Sequence, residues 1–67
     1  MKEEKILEMK KADLISHINE IQTALKNSYA NMQLANNSHL LDYYAYKIKS
    51  EEALHEFFIE EFKKIEG

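Results

Sequence analysis

Glu52 and His55 form the sharpest chemical pattern in this 67-residue chain, spaced as Glu-x-x-His. On a helix that spacing puts a carboxylate and an imidazole on one face. Di-iron four-helix bundles use it on two helices, and each of the other two helices adds a single Glu. A dimer of this chain would supply both pairs. The remaining carboxylates would have to come from Glu20, at the edge of a stripe centred on Ile18 and Ile21. One such match in a Glu-rich helix is a weak signal. His55 is therefore read as a partly buried, hydrogen-bonded histidine, and metal binding ranks last among the functional readings. His17 and His39 lack ligand-spaced neighbours and are read as surface residues. Ser16, Ser28, Ser38 and Ser50 have no elbow or glycine-rich loop around them, so neither a nucleophile nor a phosphate cradle is indicated. The chain is expected not to be an enzyme, with no catalytic, cofactor-binding or metal residue and no cofactor.

Tyr43, Tyr44 and Tyr46 invite a second chemistry, the stacking of bases. Stacking platforms work inside a positively charged groove. Here Lys47 and Lys49 face Asp42, Glu51 and Glu52. The whole chain has nine Lys and no Arg against twelve Asp and Glu, a formal charge of −3. Residues 36–67 alone carry four Lys and seven acidic residues. Nucleic-acid binders favour a basic patch and arginine. The tyrosines are read instead as interface anchors, with an apolar body and a hydroxyl for the rim.

These residues need elements to hold them, and composition points to helices. Apolar residues are 45% and charged residues 31%, with no proline, no cysteine and one glycine, Gly67. A chain near this length buries only roughly 60% of its unfolded surface. Its single core rarely supplies more than about 3–5 kcal/mol without a staple. Disulfides and thiolate metal sites are excluded, which leaves helix packing, self-association or a partner. No apolar run is longer than four residues, too short to span a membrane, and Met1–Ile6 has no signal-peptide pattern. A cytoplasmic location is expected.

Leu7, Leu14, Ile21, Ser28 and Ala35 recur every seven residues, with Lys11, Ile18, Leu25 and Met32 as a companion row. Ile15, Gln22 and Tyr29 flank them. This spacing predicts an amphipathic helix over about 4–35. Asn36-Asn37-Ser38 is the one break, where Asn suits a left-handed helix end and Asn or Ser a helix start. A turn at 36–38 makes the two helices antiparallel neighbours. A second helix is predicted over about 38–65. Leu41, Ile48, His55 and Phe62 form one of its rows, and Tyr44, Glu51, Phe58 and Ile65 the other. Asp42 is placed in its first turn, opposing the helix dipole. Glu60 and Lys64 are placed as an i,i+4 pair.

The second helix also carries Leu40, Tyr43, Tyr46, Ala53, Leu54 and Phe57 off its stripe. It is apolar on two faces, and the first helix can cover one. Contiguous exposed apolar surface marks an interface. Burying two or three of these aromatics at about 1.5–3 kcal/mol each would rival the stability of the whole fold. The sequence therefore predicts an all-α helical-hairpin domain over 1–67 that dimerises into an antiparallel four-helix bundle. The expected interface is Tyr43, Tyr46, Ser50, Leu54 and Phe57.

The stretch Leu40-Leu41-Asp42-Tyr43-Tyr44-Ala45-Tyr46, followed by the acidic, small-residue segment Ser50-Glu51-Glu52-Ala53, resembles the YaaL-like family. These are short proteins of Gram-positive bacteria, classed as a domain of unknown function. Phe57, Phe58, Lys63 and Lys64 sit where the family's aromatic pair and basic end lie. The chain departs from the pattern at Asn37-Ser38, where the family tends to Asp-Pro. It departs again at Ala45, where a larger aliphatic is usual, and at His55, where an aromatic is expected. The resemblance is strong over about fifteen residues and implies a cytoplasmic helical protein with no assigned activity. Family members are often encoded near recombination-mediator and sporulation-regulator genes. The expected function is a small non-catalytic interaction or regulatory module. The rivals are a nucleic-acid-associated accessory protein and an inhibitor of one host or phage protein.

Overall fold

In a computed structural model the chain is a helical hairpin. The structure describes residues 2–66, with side chains from residue 4 onward. Met1, Gly67 and the side chains of Lys2 and Glu3 lie outside the described residues. Helix α1 is Lys2–Leu34 and helix α2 is Ser38–Glu66, with no strand among the described residues. Neither helix contains a proline or an interior glycine, so nothing within them interrupts the hydrogen-bond ladder. At 1.5 Å per residue α1 alone is about 50 Å long, and the hairpin measures 55 × 15 × 12 Å.

The connection is Ala35–Asn37, one residue earlier than the predicted turn. The α1 end is closed by a short bond from Ala35 N–H to the Met32 carbonyl at 3.1 Å. Asn37 caps α2, since its Oδ1 accepts from Leu40 N–H at 2.9 Å. That bond satisfies one of the amides that a helix start leaves without an intrahelical partner. Two expectations are corrected here. No residue among those described has a positive φ, so the turn is made without a left-handed asparagine. With Asn37 as the cap, the first turn of α2 contains no acidic residue, and Asp42 falls beyond it.

The heptad rows meet along the seam except at Leu7 and Leu41, which head their rows but stay exposed, at 46% and 44%. Leu14, Ile18, Ile21, Leu25, Ser28 and Met32 of α1 turn toward α2, and each is buried or half-buried. Tyr44, Ile48, Glu51, His55, Phe58, Phe62 and Ile65 of α2 turn toward α1 with the same alternation of three and four residues. Two helices touch along a line, so this seam is narrow. Only Ile18 and Ile48 qualify as buried apolar side chains among the described residues, at 9% and 5% exposure. The flanking Ile15 and Tyr29 remain substantially exposed.

Candidate functional site

The order of contacts up the hairpin fixes which side chains share a level. At the open end Lys11 Nζ pairs with Glu66 at 2.9 Å. Next, the His17 ring stacks on Phe58, with centroids 5.0 Å apart and planes 9° from parallel. Above it, Gln22 Nε2 lies 3.4 Å from His55 Nε2. The amide can donate there when the imidazole proton is on Nδ1. Nearest the turn, Ser28, Lys47 and Glu51 form a closed polar cluster.

Ser28 is the most deeply buried residue described, at 1% exposure. Its hydroxyl donates to Glu51 Oε1 at 2.7 Å and accepts from Lys47 Nζ at 3.1 Å. Lys47 also donates to Glu51 Oε2 at 2.9 Å. Burial alone would push the Glu51 carboxyl up, but the bonds from Ser28 and Lys47 outweigh it and hold the group below its ordinary value of 4.5. The hydrogen bond to Glu51 raises Lys47 above its ordinary 10.5, against partial desolvation. Sequence reasoning assigned this trio no role. Its signal was three polar residues placed on or beside heptad rows that are otherwise mainly apolar.

The chemically suggestive residues do not converge. Glu52 is exposed, while His55 is half-buried against Gln22. Glu20 lies on the surface, 3.9 Å from His17. Among the described residues no group of three His, Asp or Glu is placed to hold a metal ion. His17 is exposed as read, with 47% of its side chain in solvent, and one face of its ring also covers Phe58. Lys64 pairs with Glu61 at 3.0 Å and not with Glu60. At the open end a shallow cleft of about 490 Å³ runs between Leu14 and Ile65. It is rimmed by Lys10, Asp13, Glu61 and Lys64, so its charges alternate in sign.

The outer face of α2 carries a stripe of exposed aromatic and aliphatic side chains, while α1 exposes Ile6, Met9 and Leu34 at scattered positions. Tyr43, Tyr46, Leu54 and Phe57 are all exposed, Tyr46 to 74%, and Ser50 lies among them. At 100° per residue this stripe is about a third of a turn from the seam with α1. It is tied to that seam at two places. Tyr43 meets Tyr44 edge-on at 5.0 Å, and Phe57 meets Phe58 edge-on at 5.4 Å. Each pair sets one ring against α1 and one ring outward.

No family model matches the chain, and neither a curated protein nor a solved structure does. Among the described residues no helix is long and apolar enough to cross a membrane.

Proposed function

We propose that this chain is a small, non-catalytic interaction or regulatory module whose working surface is the outer face of α2. In this reading two hairpins associate through that face into an antiparallel four-helix bundle. The observation that carries it is the exposure of Tyr43, Tyr46, Leu54 and Phe57 on a hairpin with two buried apolar side chains among its described residues. A core that small leaves the isolated hairpin marginal, and covering a second apolar face adds the stabilisation it lacks. The resemblance to YaaL-like proteins implies a bacterial cytoplasmic helical protein and assigns no activity, so the interaction reading rests on the exposed face alone.

The test is absolute mass in solution, by light scattering on a sizing column over a concentration series. A mass of twice the chain's 7.9 kDa that falls to a single chain in Tyr46→Glu supports self-association through this face. A stable monomer overturns self-association. If that monomer also captures no protein through Tyr46, the interaction reading fails altogether.

A further inference from the structure

The geometry points to a second copy of this chain as the occupant of the α2 face, bound antiparallel with the two-fold axis passing beside Ser50. This rests on the reading of that face as the surface through which two hairpins associate, and it specifies their register. The first support is area. The chain exposes 5544 Å², where a compact protein of its mass exposes roughly 4,400 Å². The excess, roughly 1,100 Å², belongs to the whole elongated hairpin and leaves room for the approximately 800 Å² that each partner contributes to a standard interface.

The second support is the order of residues along the stripe. A two-fold contact is self-complementary, so residues equally spaced on either side of the axis must suit one another. Tyr43 and Phe57 lie seven residues to either side of Ser50, and Tyr46 and Leu54 four. Antiparallel pairing about Ser50 therefore sets Tyr43 against Phe57 of the second copy, and Tyr46 against Leu54. The edge-on pairs Tyr43–Tyr44 and Phe57–Phe58 then stand at matching heights on opposite sides of the axis. Ser50 is the smallest side chain of the stripe and sits at its centre, where two crossing helices approach closest. It is also two residues from the middle of Ser38–Glu66, so the two α2 helices overlap along almost their full length.

The chain has no cysteine, which makes single-cysteine variants clean reporters. Ser50→Cys is exposed in the hairpin and is expected to leave the fold intact, checked by circular dichroism. Under mild oxidation most of it should run as a disulfide-linked dimer. Tyr46→Cys and Leu54→Cys should each link poorly alone and link to one another when mixed. A dimer in light scattering whose Ser50→Cys variant stays unlinked, while another position links, overturns this register and leaves the α2 face standing. A folded monomer at all concentrations overturns both.

Discussion

Ser28 on α1 donates to Glu51 on α2 at 2.7 Å, and this bond joins the most buried residue described to a carboxylate on an otherwise apolar row. Lys47 closes the triangle by donating to both. Among the described residues no buried side-chain nitrogen or oxygen lacks a partner. A polar cluster of this kind fits one axial alignment of the helices, since sliding either by a turn would strand a buried hydroxyl and a carboxylate. It therefore specifies register where leucine packing alone would tolerate several.

Removing one member should cost more than removing the cluster. Ser28→Ala takes a donor from a partly buried carboxylate and should destabilise the hairpin by about 1–3 kcal/mol. Replacing Ser28 with Ala and Glu51 with Leu together should recover much of that loss, because the member left, Lys47, is 39% exposed and can turn its ammonium to water. Urea melts of the three proteins check this. Additive losses would show that the cluster does not act as a unit.

The same cluster sets a pH dependence. The folded Glu51 carboxyl lies below its ordinary 4.5, so its stabilising contribution is present above that pH. It is lost as the pH falls through the lower folded value. Lys47 is raised above 10.5, so its contribution is present below that pH and disappears as the pH climbs past the higher folded value. Glu51→Gln should flatten the acid limb of a melting-temperature profile relative to the parent. An unchanged acid limb would place its cause in other carboxylates.

The two apolar faces of α2 should respond differently to substitution. Ile48→Ala removes one of two buried apolar side chains, and a loss of about 2–5 kcal/mol is comparable with the whole stability of such a fold. It should abolish helical circular dichroism at any ordinary concentration. Tyr46→Glu alters a residue 74% exposed in the hairpin. It should lower the association state first, with helicity becoming concentration-dependent only after dissociation. Equal loss of helicity in both at high concentration would contradict the assignment of two separate faces.

Asn37 is the single side-chain cap seen at the start of α2. Asn37→Ala should cost about 1 kcal/mol, and Asn37→Asp should be nearly neutral. A thermal melt of both variants is sufficient. An alanine variant as stable as the parent would mean that water satisfies the Leu40 amide equally well.

The two helices, the turn and the facing rows were legible in the sequence because each is a local property. Heptad spacing from Leu14 to Met32 and from Tyr44 to Ile65 defines a face on its own helix, and the absence of glycine and proline leaves that helix unbroken. The surplus of aromatic side chains on α2 was equally readable, since one neighbour can cover one face. The partnerships across the seam were not. That Ser28 meets Glu51, that His17 covers Phe58 and that Lys11 reaches Glu66 depend on how far one helix slides along the other. Neither periodicity encodes that offset. The turn and the packing of side chains between the helices decide it together, and it exists only once both helices are in contact.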